Sequence, residues 1–198
     1  VAHAANPSKV MRRALCSTAM TSEASSEADV RHELLQLALH NSARSVLMQL
    51  VAVAVIAGMG VHAGRPGVAI VVVAIGLVVA AWRLFISRRF LQDEVLAIDG
   101  LTRLQRELEG NAALSGVMWA VATLGLYPAL QGTLGTTYVG MVLGSITVAA
   151  FFMTLVGRSF QILSGIQLGA LIVVSLASDE VRSWPVALLA LIFGLTLY

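Results

Sequence analysis

Apolar residues run through this chain in long tracts, and the polar positions between them set its organisation. Two tracts, 46–61 and 68–85, precede an island of charge, and four more, 113–127, 137–156, 160–177 and 184–198, follow it. The island, Arg83 to Glu109, holds Arg83, Arg88, Arg89, Arg103 and Arg106 balanced by Asp93, Glu94, Asp99, Glu107 and Glu109. A helix on the surface of a soluble protein keeps a polar stripe toward water. Tracts of this length with almost no charge match the hydrocarbon thickness of a bilayer instead. The pattern predicts an all-α polytopic membrane protein, a bundle of six transmembrane helices.

The spacers between tracts read as turns. Gly60-Val61-His62-Ala63-Gly64-Arg65-Pro66-Gly67 joins the first two spans through glycine and proline. Tyr127-Pro128 closes the third span, and Gln131-Gly132-Thr133-Leu134-Gly135 is an uncharged turn into the fourth. Gly157-Arg158-Ser159 reverses the chain into the fifth, and the polar loop Ser178–Ser183 leads to Trp184-Pro185 at the head of the sixth. Trp82 and Arg83 fall where the second helix should leave the hydrocarbon, as an interfacial ring and a snorkelling cation. Inside the island Leu91, Val95, Ile98, Leu101, Leu104 and Leu108 recur every three or four residues. That spacing predicts a cytoplasmic amphipathic helix over 90–109, stopped near Gly110, with Asn111 capping the third span. Before the first span, residues 1–28 read as a disordered tail and 29–45 as a juxtamembrane amphipathic helix with Val30, Leu34 and Leu37 on one face.

Composition supports the membrane class. Of 198 residues 58% are hydrophobic and 12% charged, with a mean hydropathy of +0.84; soluble domains carry about a quarter charged residues. Charge placement then orients the spans. The residues before the first span, the island and the turn after the fourth span carry eleven Lys and Arg, and the opposite loops carry only Arg65 and Arg182. That bias predicts a multi-pass protein with both termini cytoplasmic. The last tract spans only about 22 Å at 1.5 Å per residue, so the natural polypeptide is expected to continue beyond residue 198.

Candidate chemistry is sparse. With Arg83 placed at the membrane edge, no tract holds Asp, Glu, Lys, Arg or His, which argues against an ion-coupled transporter or a haem electron carrier. Cys16 is the single cysteine, so neither an internal disulfide nor a thiolate metal cluster can form. His32 and His40 share a face of a predicted surface helix and are read as solvated. No phosphate loop, nucleophile elbow, zinc signature or nucleic-acid motif occurs. No catalytic residue, metal site or cofactor is expected in this chain, and no nucleic-acid partner.

Two GxxxG motifs, Gly140 with Gly144 and Gly165 with Gly169, predict close packing of the fourth helix on the fifth, or of one copy on another in a homodimer. Polar side chains at membrane depth include Gln49, Ser115, Thr123, Ser145, Thr147, Thr154, Gln161, Ser164 and Gln167. Interhelical hydrogen bonds worth about 0.6 kcal/mol each would account for them. The sharper reading is a pocket for a small or lipophilic ligand, built from Ser115, Gln161, Ser164 and Gln167 with Trp119 and Tyr127 as walls.

The segment Leu114-Ser115-Gly116-Val117-Met118-Trp119-Ala120, running on to Tyr127-Pro128, resembles the N-terminal multi-helix sensor regions that precede GGDEF diguanylate cyclase domains in bacteria. In those regions a Gly-x-x-Trp-Gly-like segment opens the third helix and an aromatic-Pro pair closes it; here Ala120 stands at the second glycine. A basic turn such as Ser87-Arg88-Arg89-Phe90 follows their second helix, and similar regions precede histidine kinases. The resemblance implies a dimeric receptor of the bacterial inner membrane that passes a signal to a cytoplasmic output domain beyond residue 198, an enzyme making cyclic di-GMP or a kinase. The rival expectations are a small transporter subunit and a structural membrane anchor.

Overall fold

A computed structural model describes residues 46–91, 98–153, 158–178 and 183–197, and these are helices joined by short turns, with no strand among the described residues. The helices are α1 (Val46–His62), α2 (Pro66–Leu91), α3 (Ile98–Leu126), α4 (Thr133–Met153), α5 (Ser159–Ala177) and α6 (Trp184–Leu197), with a 3₁₀ turn over Tyr127–Ala129. Four segments are long and apolar enough to cross a membrane: Pro66–Arg89, Thr102–Ala129, Thr133–Phe151 and Ser159–Ala177. α1 and α6 are shorter apolar helices. The tail 1–28, the juxtamembrane helix 29–45, residues 92–97 of the island helix, the end of the fourth span at 154–156 and the loop at 179–182 lie outside the described residues, while residues 90 and 91 belong to α2.

The turns follow their residues. Gly64 and Gly132 take left-handed backbone conformations, φ +70° and +57°, which cost glycine little. Arg65 N–H donates to the Gly60 carbonyl at 2.8 Å, and Pro66 then opens α2 where its missing N–H has no helical partner to lose. Pro128 sits in the 3₁₀ turn, closed by Leu130 N–H on the Tyr127 carbonyl at 3.1 Å.

α3 is the centre of the bundle. It packs most extensively along α5 and then α2; α5 in turn packs along α6, and α4 meets α5 over a smaller strip. Burial agrees: half of each apolar window in α3 and α5 is inside, against 28% in α4. Where helices approach most closely, a glycine makes room. A Cβ on Gly76 of α2 would stand 2.5 Å from Val53 of α1 and 3.2 Å from the Met118 sulfur of α3, so three helices meet there. A Cβ on Gly116 would stand 3.0 Å from Ile166 of α5.

Three sequence expectations change. First, the island helix does not stop at Gly110: α3 is one unbroken helix of 29 residues through Gly110 and Asn111. The ring of Trp82 fills the space a Cβ of Gly110 would enter, at 3.0 Å. Packing of this kind outweighs the roughly 1 kcal/mol that glycine costs a helix interior, and a break would leave backbone groups unpaired. Asn111 is therefore mid-helix and caps nothing. Second, Ser87-Arg88-Arg89-Phe90 is not a turn but the last turns of α2. Third, the GxxxG glycines do not set the α4–α5 approach. Gly140, Gly144 and Gly165 are exposed, and nothing lies within 4 Å of a Cβ built on Gly140, Gly144 or Gly169.

Candidate functional site

Arg83 is the one charged side chain among the described residues that is buried, at 7% exposure. It lies about 25 Å along α2 from Pro66 at 1.5 Å per residue, toward the charged end of the helix. Here a snorkelling cation was expected, yet the guanidinium turns into the bundle. Its Nε–H donates to Oδ1 of Asn111 on α3 at 3.0 Å, and Asn111 Nδ2–H donates to the carbonyl of Val79 at 3.0 Å. Val79 and Arg83 are one helical turn apart, so one fully buried amide holds a backbone carbonyl and a cation across a single turn of α2. A charged donor strengthens the first bond. The second gives a carbonyl, already the acceptor of a helical bond, a further donor. Rotating the amide would set acceptor against acceptor and donor against donor, so the clamp specifies both the register of α2 on α3 and the orientation of Asn111.

A second tie sits one half-turn away on another face of α3. Glu109 accepts from Gln105 Nε2–H at 3.0 Å and from the backbone N–H of Arg158, at the start of α5, at 3.2 Å. An acidic side chain at a helix N-terminus meets an N–H without an internal partner. Leu104 of the island stripe is fully buried in the same stretch. The outermost pair, Arg103 with Glu107 at 3.3 Å, is exposed and contributes little.

The residues grouped as a ligand pocket do not all converge. Ser115, Trp119 and Tyr127 are buried on α3 and the turn after it, and Ser164 and Gln167 are fully buried on α5. Gln161 is exposed. Residues six apart on a helix differ by about 120° around its axis, so Gln161 and Gln167 cannot share a face. Gln167 Nε2–H donates to Ser145 Oγ of α4 at 3.2 Å. Ser164 Oγ–H turns back to the Phe160 carbonyl at 2.8 Å. Near the opposite end, Tyr138 of α4 shares a 3.0 Å hydrogen bond with Thr123 and stacks on Tyr127 with centroids 6.0 Å apart. Trp119 and Tyr127 are thus packed in the core of α3, α4 and α5.

Several buried polar atoms have no hydrogen-bond partner: Gln49 Nε2, Gln167 Oε1 and the hydroxyls of Ser87, Ser115, Ser159 and Ser175. Among the described residues no group of three or more His, Cys, Asp or Glu side chains could hold a metal ion. Sequence reasoning passed over Arg83 and Asn111 as functional residues. The signal available was the depth of Asn111 within α3, legible only once Gly110 is not read as a helix stop. The chain matches no family model, no curated protein and no solved structure.

Proposed function

We propose that this chain is a six-span sensory region of a bacterial inner membrane, with α1 and α6 completing the bundle. In this reading it works as a dimer with both termini cytoplasmic. It controls a cytoplasmic output, with synthesis of cyclic di-GMP the first candidate and a histidine kinase the second. One observation carries the reading: α3 runs unbroken from the charged island to the centre of the bundle. A helix of 29 residues is about 43 Å long at 1.5 Å per residue. The Arg83–Asn111 clamp ties it to α2 and Glu109 ties it to α5. A rearrangement among α2, α3 and α5 therefore moves the island as part of one rod. The positive-inside bias and the resemblance around Gly116 and Trp119 supply orientation and output class. A stimulus acts by binding one arrangement of the bundle better than another.

The test uses the complete natural gene product in cells. The complete gene is first read for a GGDEF or kinase domain, whose absence would remove the reading. Cyclic di-GMP is then measured for the wild type, for Leu104→Asp and for Asn111→Leu at matched membrane levels. Altered output in both variants is expected, and unchanged output and stimulus response in both would remove the reading. A second reading, a small transporter subunit, is favoured by the buried Arg83, since ionisable groups in membrane helices often mark transport paths. Proteoliposomes that pass current or solute only with Arg83 intact would put it first.

A further inference from the structure

We infer that α1 and α3 enclose a small polar binding site between Gln49 and Ser115, filled by one oxygen atom. That oxygen belongs to an internal water or to a hydroxyl or carbonyl group of a lipophilic molecule. The site stands independently of the sensory reading.

Hydroxyls in apolar helices usually turn back to their own backbone. Thr123, Thr137, Ser145, Thr147, Ser164 and Thr196 all do so here, donating to the carbonyl three or four residues earlier. Ser115 does not. It is 5% exposed, and its Oγ is buried without a partner. The amide nitrogen of Gln49 is in the same state on α1.

Two contacts bring these groups together. A Cβ on Gly60 of α1 would stand 3.2 Å from a methyl of Leu126 on α3, and one turn-pair earlier Val53 and Met118 both crowd Gly76. α1 and α3 therefore run side by side in the same direction with residue 60 opposite 126 and residue 53 opposite 118. Gln49 lies eleven residues before Gly60, and Ser115 eleven before Leu126. Eleven residues are close to three full turns, so each polar group is on the same face as its contact partner and at the same height. Val46, Val53, Ile56 and Met59 bury the α1 side, and Met118, Ala122 and Leu126 the α3 side. The result is a polar gap in an apolar seam.

The two atoms do not bond each other, yet each needs a partner where no bulk water reaches. An oxygen between them accepts from Gln49 Nε2–H and either accepts from or donates to the Ser115 hydroxyl. A cation would meet an amide N–H and is disfavoured; an apolar occupant would satisfy neither. Asn111 lies one turn from Ser115 on α3, so an occupant joins α1 to the element that already clamps α2.

The test compares the solubilised full chain with Gln49→Leu, Ser115→Ala and the double variant by thermal unfolding, joined to a structure in a lipid nanodisc. A filled site predicts that each single change lowers the Tm by about 2–4 °C, with the double variant no lower than the weaker single. Ser115→Ala removes one atom from a helix and does not threaten folding. The map should show density within 3.5 Å of both atoms. Native mass spectrometry then separates the sources: added mass lost in Ser115→Ala identifies a lipophilic ligand, and no added mass identifies water. Three results overturn the site: Ser115→Ala as stable as the wild type or more so, additive losses, or a direct Gln49–Ser115 contact without density between.

Discussion

Asn111→Leu isolates the clamp. Leucine keeps the branching of asparagine at Cγ and favours the helix, while both side-chain bonds of Asn111 disappear, the one from Arg83 Nε–H and the one to the Val79 carbonyl, each 3.0 Å long. A hydrogen bond involving a charged group contributes about 1.5–3 kcal/mol. The bond to Val79 is worth less, about 0.6 kcal/mol on the scale of interhelical bonds in membranes, because that carbonyl keeps its helical donor. Together the loss is about 2–4 kcal/mol. For a chain of this size that is a fall in Tm of roughly 4–16 °C, read by thermal unfolding of the solubilised protein. Asn111→Asp supplies the control. It keeps an acceptor for Arg83 and adds an opposite charge, while turning an oxygen toward the Val79 carbonyl, so it should fall between wild type and leucine. Arg83→Met with Asn111→Leu removes both polar partners and should cost less than the two single changes added together. A leucine variant as stable as the wild type would show that the amide does not hold α2 against α3, and additive losses would show that Arg83 and Asn111 act separately.

Gly76→Ala should lower the Tm, because its Cβ would meet Val53 at 2.5 Å, whereas Gly144→Ala should not, because nothing lies within 4 Å there; equal effects in detergent would refute the packing described. Gly144→Leu should leave the monomer intact and weaken self-association measured by crosslinking, and an unchanged dimer would place the interface elsewhere. On a Cys16→Ser background, Ser183→Cys should react with an impermeant maleimide added outside cells and Thr102→Cys only after lysis; the opposite labelling would invert the proposed topology. Tyr138→Phe and Thr123→Val each remove one side of a 3.0 Å bond. In a double-mutant cycle they should couple by about 0.6 kcal/mol, and zero coupling would mean that Thr123 bonds only the Trp119 carbonyl.

What the sequence determined by itself is the class of the molecule and the places where its chain turns. Length and polarity of a tract decide whether it can lie in hydrocarbon, and Gly64, Pro66, Tyr127-Pro128 and Gly132 act through local backbone preference, so both are legible without any partner. The starts of α5 and α6, at Ser159 and Trp184, fall within a residue of the expected positions for the same reason. Which face of a helix is inside was not legible where every face is apolar. A stripe of glycines looks the same whether it meets a helix or nothing, so Gly140 and Gly144 drew the packing expectation that Gly76 and Gly116 fulfil. Gly110 looked like a stop because helix propensity is local, while the ring of Trp82 that makes glycine fit there comes from 28 residues away. Arg83 looked like a cation at the membrane edge, since snorkelling is the default for an arginine at that depth. Only the approach of α3, presenting an amide at the height of Val79 and Arg83, supplies a better partner inside. The same dependence on a neighbouring helix hid the pairing of Gln49 with Ser115, whose common height follows from contacts three turns away.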